Sequence, residues 1–134
     1  MMASAEHLNH ARNFLRKAQE YLAAAEDSLT AGRHTPAAGD AIHAGISAKD
    51  AIVSALTGTT SKGKNHAAAA GELKQALGKR PESPAAERAL RELISAKSDV
   101  EYGVALVTSA KAEPLVRRAK TLVDLAVQIV RLGR

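Results

Sequence analysis

Leu8, Ala11, Leu15, Ala18, Leu22, Ala25 and Leu29 alternate spacings of three and four residues without a fault. That spacing lays one apolar stripe along an α-helix through three heptads, and no strand can use it. Ser4 can cap the start of this helix and Gly32 can end it. A helix from about Ala5 to Ala31 would be roughly 40 Å long at 1.5 Å per residue. The chain has 134 residues, enough for one domain with a core and too short for two, so residues 1–134 are read as a single domain.

The rest of the chain repeats the helical signal. Thr35-Pro36 reads as an N-cap followed by a proline in the first turn, opening a second helix to about Leu56 with Ile42, Ile46, Val53 and Leu56 inward. Gly39, Ala41, Gly45 and Ala48 are small enough to let a neighbouring helix approach closely. Thr57 to Lys64 reads as a loop, and Asn65 can cap a short third helix carrying Ala69, Leu73 and Leu77. After a turn at Pro81, Ser83-Pro84 repeats the cap-plus-proline signal for a fourth helix to about Val107. A break from Thr108 to Ala112 precedes a fifth, with Leu115, Ala119, Leu122, Ala126 and Ile129 inward, and Val116, Val123 and Val130 widening the stripe. Pro114 is expected in the first turn of this helix, because deeper in it would interrupt the hydrogen-bond ladder. The fold class expected is all-α, an antiparallel bundle of four long helices plus one short helix.

Composition narrows the chemistry. Hydrophobic residues make up 46% of the chain but aromatics only 2%, namely Phe14, Tyr21 and Tyr102. The core must therefore be built from Ala, Leu, Ile and Val, and modules that stack bases on several exposed rings are disfavoured. The absence of cysteine excludes disulfides and thiolate zinc sites. No apolar run approaches a membrane span and the N-terminus lacks a signal-peptide core, so a soluble, cytoplasmic protein is expected, with no membrane contact. Net charge is +5. Lys62 and Lys64 in one loop, Lys79 and Arg80 in another, and Arg117, Arg118 and Lys120 on the last helix are basic clusters that can attract RNA or DNA, or simply keep the surface solvated.

Polar residues on apolar faces are the first candidates for a site. The fourth helix carries the stripe Leu90, Leu93, Ile94, Lys97, Val100, Val104, Val107, with a lysine in its middle. An unpaired buried ammonium is costly, so Lys97 requires a partner, a wet cleft or a task. Asp50 interrupts the second helix in the same way, and an Asp50–Lys97 bridge between helices two and four is the simplest expectation. Tyr102 follows Lys97 by five residues, about 140° around the helix, so it faces an adjoining groove. His66 opens the short helix. The alternative to a structural bridge is an acid/base or phosphate-binding cluster, Lys97 stabilising negative charge and His66 moving a proton.

Other patterns are weaker. Gly58-Thr-Thr-Ser-Lys-Gly63-Lys64-Asn65 misses a P-loop by its final hydroxyl residue and lacks the preceding strand, although a basic loop before a helix can rest a phosphate. Asp40-x-x-His43 occurs once, where a carboxylate-bridged di-iron site needs two such pairs and further carboxylates. His7, His10, His34 and His43 read as exposed or packing residues. No metal and no cofactor are expected.

Three stretches carry a resemblance to HEPN domains that covers nearly the whole chain. They are Ala18-x-x-Tyr21-Leu22-x-x-Ala25-x-x-Ser28-Leu29-x-x-Gly32, then Asn65-His66 opening the short helix, then Lys97-Ser-Asp-Val-Glu101-Tyr102 before the last helix. The third resembles the family's Arg-Asn-x-x-Asp-Tyr pattern. The segment from Ala44 to Ile52 further resembles a subgroup associated with actinobacteria. The resemblance implies an antiparallel helical bundle, often dimeric. It also implies roles as metal-free ribonucleases of toxin or defence type, as partners of nucleotidyltransferase antitoxins, or as modules that only bind. Active members use Arg-x(4–6)-His at the dimer seam. In this chain the positions that would carry that arginine ahead of His66 are Ser61, Thr60 and Thr59, and Lys97 stands where the other arginine would be. Lysine lacks the planar fork that grips phosphate oxygens.

The sequence therefore reads as a HEPN-like homodimeric binding or regulatory module for RNA or a protein partner, with Lys62, Lys64, Arg117 and Arg118 as phosphate-binding residues. The enzymatic alternative is a metal-free endoribonuclease using His66 with Lys62, Lys64 or Lys97. A purely structural role predicts an exposed patch that is apolar rather than basic.

Overall fold

A computed structural model describes residues 5–59 and 66–133. The helices are α1 (Ala5–Thr30), α2 (His34–Thr57), α3 (Ala69–Leu77, entered through the 3₁₀ turn His66–Ala68), α4 (Ser83–Tyr102) and α5 (Ser109–Leu132). No strand occurs among the described residues, and the expected all-α bundle of four long helices and one short one is what forms. No described helix is long and apolar enough to cross a membrane.

Helix α1 follows its stripe: Ala11, Leu15, Ala18, Leu22 and Ala25 are buried. It ends where Gly32 takes φ +77°, a left-handed conformation open to a residue without Cβ, and the Arg33 N–H donates to the Ser28 carbonyl at 2.8 Å. The chain then returns antiparallel, so the end of α2 meets the start of α1, and Ser54 Oγ donates to the His7 carbonyl at 3.1 Å.

Helix α2 lies at the centre and packs on all four other helices. Its small side chains make this possible: Ala37, Ala38, Ala41, Ala44, Ala48 and Ala51 are completely buried around it. Gly45 is the tightest point. A Cβ there would overlap Leu93 Cδ1 of α4 and press on Leu122 Cδ1 of α5 at 3.3 Å. Helix α5 buries Leu115, Ala119, Leu122, Ala126 and Ile129, and α3 buries Ala69, Leu73 and Leu77, as their spacing predicts. Helices α4 and α5 are antiparallel, stitched outside the core by Arg118 with Glu92 and by Lys111 with Asp99 at 3.7 Å.

Several boundaries differ from expectation. Thr35 does not cap α2, whose N-cap is Arg33; instead Thr35 Oγ1 accepts the Val107 N–H at 3.1 Å. Ser83 is the first residue of α4, not its cap, and its side chain is buried. Helix α4 stops at Tyr102 rather than Val107: Gly103 is extended, at ψ 155°, and the chain crosses to the start of α2. Thr108, expected in a break, caps α5 and accepts the Lys111 N–H at 3.3 Å. Pro114 is consequently the sixth residue of α5, beyond the first turn. The bond its ring forgoes is to the carbonyl of Ala110, an exposed residue that water can reach. The proposed caps Ser4 and Asn65 lie outside the described residues.

The approach at Gly45 gives a paired test. Gly45→Ala should lower the unfolding free energy by about 1–2 kcal/mol in urea titrations, the overpacking cost less the helix-propensity gain. Gly71→Ala, on the exposed side of α3 with nothing within 4 Å, should raise it by about 0.5–1 kcal/mol. Stabilisation by both substitutions would contradict the packing described.

Candidate functional site

The last turns of α4 carry the Lys97 site. Its stripe holds through Leu90, Leu93 and Val100, all buried, with Lys97 half-buried between them. Lys97 Nζ donates to Glu101 Oε2 at 2.6 Å, one turn along the same helix. The other oxygen, Glu101 Oε1, is buried, accepts no hydrogen bond among the described residues, and stands 3.4 Å from His43 Nε2 of α2. The His43 ring lies against Tyr21 of α1, centroids 5.2 Å apart. On the solvent side Lys97 Nζ is 5.8 Å from the Tyr102 ring centre, within cation–π range. The result is a polar file across three helices: Tyr21, His43, Glu101, Lys97, Tyr102.

Its electrostatics tie the charges down. Glu101 is held below its ordinary pKa, first by the Lys97 hydrogen bond and then by the charges of Lys97 and His43, against the opposing effect of burial. Lys97 is pushed up, chiefly by its hydrogen bond to Glu101. A lysine so held stays charged and cannot act as a base, and its positive field is compensated within 2.6 Å.

The expected Asp50–Lys97 bridge does not form, because each residue has a nearer partner. Asp50 Oδ1 pairs with Lys49 Nζ at 3.0 Å, and Lys49 also reaches Glu72 of α3 at 3.6 Å. Lys49 is the lysine that is truly buried, 3% exposed, and its two carboxylates supply the compensation that burial demands. The polar core cluster of Asp50, Lys97 and Tyr102 thus separates: Lys97 and Tyr102 meet, while Asp50 belongs to the α2–α3 contact.

His66 is half-buried in the 3₁₀ turn and lines a shallow groove of about 280 Å³ with Arg91, Ile94 and Ser95 of α4. It shares that groove with Arg91, not with Lys97, which lies six residues further on and about 240° around α4 at 100° per residue. Arg91 is itself held by Glu87, Nη2 to Oε2 at 2.7 Å. Of the basic residues proposed for phosphate, Arg118 pairs through Nε with Glu92, Arg117 is exposed, and Lys62 and Lys64 lie outside the described residues. The P-loop-like segment from Gly58 follows helix α2 rather than a strand, and most of it is likewise outside them. No group of three or more His, Cys, Asp or Glu able to hold a metal occurs among the described residues.

A family model for the HEPN domain matches this chain over residues 11–130. The chain belongs to the HEPN family. No curated protein matches it. In this HEPN domain Lys97 is charge-compensated by Glu101, the acid one turn along α4.

Glu101 and His43 were absent from the sequence-based site. Glu101 was legible, since an acid four residues from a lysine on one face is a recognised pairing. His43 was not, because only the α2–α4 packing brings it there. The Lys97–Glu101 pair should show in acid. Glu101, with its folded pKa below the unfolded value of about 4.3, contributes stability above that value and loses it as pH falls through the folded pKa. Glu101→Gln should lower stability by about 0.5–1 kcal/mol at pH 7 and flatten the fall below pH about 4.3. An unchanged acid slope in equilibrium unfolding would show that the pair contributes nothing.

Proposed function

We propose that this HEPN domain is a binding and regulatory module that works by docking a protein partner, with a second copy of itself as the first partner, along the segment from Tyr102 to Leu106. The observation that carries this reading is the exposure of that segment: Tyr102 is 77%, Val104 103% and Leu106 86% exposed. Three consecutive alternate residues with large apolar side chains in water are unusual in an isolated chain, and contiguous exposed apolar surface marks contact sites. Covering Val104 and Leu106 would contribute roughly 1.5–3 kcal/mol each.

The backbone supports the same reading. Val107 is anchored to Thr35, and Gly103 N–H caps α4 on the Asp99 carbonyl at 3.0 Å. Between them the N–H groups of Val104, Ala105 and Leu106 find no acceptor among the described residues. A segment pinned at both ends is ordered before it meets a partner, which reduces the entropy lost on binding.

A second reading, metal-free RNA cleavage, has one observation in its favour: His66 and Arg91 line one groove. There His66 would take the 2′-hydroxyl proton as that oxygen attacks phosphorus, and Arg91 would stabilise the pentacoordinate phosphorane. The P–O5′ bond would break as water or the protonated His66 gives a proton to the 5′-oxygen, leaving a 2′,3′-cyclic phosphate. Arg91 is drawn toward Glu87, as Lys97 is toward Glu101, and this favours binding over catalysis.

Sedimentation velocity separates the readings. Wild type should sediment as a dimer at micromolar concentration, and Val104→Asp with Leu106→Asp should give a folded monomer. The same proteins are then incubated with RNA in EDTA, and no cleavage is expected. Cleavage lost in both His66→Ala and Arg91→Ala would replace the docking reading with the enzymatic one. A monomeric wild type would remove the homodimer.

A further inference from the structure

We propose that the groove between α1 and α5 is a docking site for a negatively charged amphipathic helix of a partner protein. The groove holds about 710 Å³ and is walled by Arg12, Arg16 and Glu20 of α1 and by Arg131 of α5, over an apolar floor that includes Leu15 and Val130. Three guanidiniums face one carboxylate, so the walls are net positive.

The guanidiniums are held in place yet retain capacity. Arg12 donates to Asn9 Oδ1 at 3.2 Å and Arg131 to Gln19 Oε1 at 3.5 Å, both neutral acceptors. Arg16 donates through Nε to Glu20 Oε2 at 3.2 Å. Each arginine has five N–H donors in a planar fork that matches a carboxylate, so most donors remain for an incoming group. Arg12 and Arg16 are one turn apart on one face, the spacing at which a second helix presents acids at i and i+4.

The floor selects among anions. Leu15 is buried and Val130 half-buried, both packed into the core, so the base of the groove between the charged walls is apolar. An apolar stripe on an incoming helix would cover it, as in helix-in-groove recognition, whereas a sugar–phosphate strand would leave it uncovered. No aromatic ring lines the groove, so it offers no platform for stacking bases. From Arg12 to Ala23 the α1 wall runs about 16 Å, three turns of helix.

This site is separate from the Tyr102–Leu106 edge. Ser109 opens α5 next to that edge and Arg131 lies near its other end, about 33 Å away at 1.5 Å per residue. The two surfaces can fail independently.

The test uses the whole 134-residue chain and three fluorescent probes. One is an 18-residue helical peptide of Leu, Ala and Glu, leucines on one face and glutamates flanking them. The others are its Lys-for-Glu counterpart and a 20-nucleotide RNA. The acidic peptide should bind at least tenfold more tightly than the basic one. Arg12→Glu with Arg16→Glu, and separately Arg131→Glu, should each weaken it at least tenfold, while Leu106→Asp leaves it unchanged. Equal binding of the two peptides, or affinity unaffected by the arginine changes, would overturn the proposal. So would arginine-dependent binding of the RNA without binding of the acidic peptide.

Discussion

Close contact along α2 is the constraint from which the rest of this bundle follows. A central helix that touches four others cannot carry large side chains on every face, and this one carries alanine at Ala37, Ala38, Ala41, Ala44, Ala48 and Ala51. Gly45 lets Leu93 and Leu122 meet over the α2 backbone, bringing α4 and α5 into the same layer. A core nearly without aromatics obtains its dispersion energy from many short contacts between backbones rather than from a few large rings. Such a core has little tolerance for added volume at its crossing points.

The polar residues are arranged around that packing. Where α4 meets α2, half-buried Lys97 interrupts the apolar stripe and pairs with Glu101, whose other oxygen lies beside His43 of α2. Where α3 crosses α2, Lys49 does the same between Asp50 and Glu72. Both lysines are compensated locally, and neither presents a free positive charge to a phosphate. The connection after α4 follows from the same geometry: with Val107 bound to Thr35 beside the start of α2, Tyr102, Val104 and Leu106 are left outward. The protein thus compensates its internal charge and exposes apolar surface, the combination that suits docking better than acid–base chemistry.

The sequence made the fold legible because periodicity is a local property. The α1 stripe, the α5 stripe and the buried positions of α3 can be read from spacing alone. The errors fall where a tertiary contact overrides a local signal. Thr35 is a good cap by type, yet its hydroxyl serves Val107, 72 residues away. Val104 and Val107 continue the α4 stripe on paper, but Gly103 ends the helix, so Val107 is buried from a different element and Val104 is exposed. For the site, Lys97 was visible as a misfit and its true partner lay one turn away. Asp50 interrupts the apolar pattern of α2, although its neighbour Lys49 is the more buried charge. Spacing identifies a misplaced charge; only packing identifies what compensates it.

The central claim, that this HEPN domain functions by covering its Tyr102–Leu106 edge, is tested most directly by hydrogen–deuterium exchange measured at high and at low protein concentration. The amides of Val104, Ala105 and Leu106 have no acceptor among the described residues of one copy. They should exchange rapidly in dilute protein and become protected as concentration rises, with no comparable change along α2. Equally fast exchange of those amides at both concentrations would contradict the account, as would protection that appears only around His66 when RNA is added.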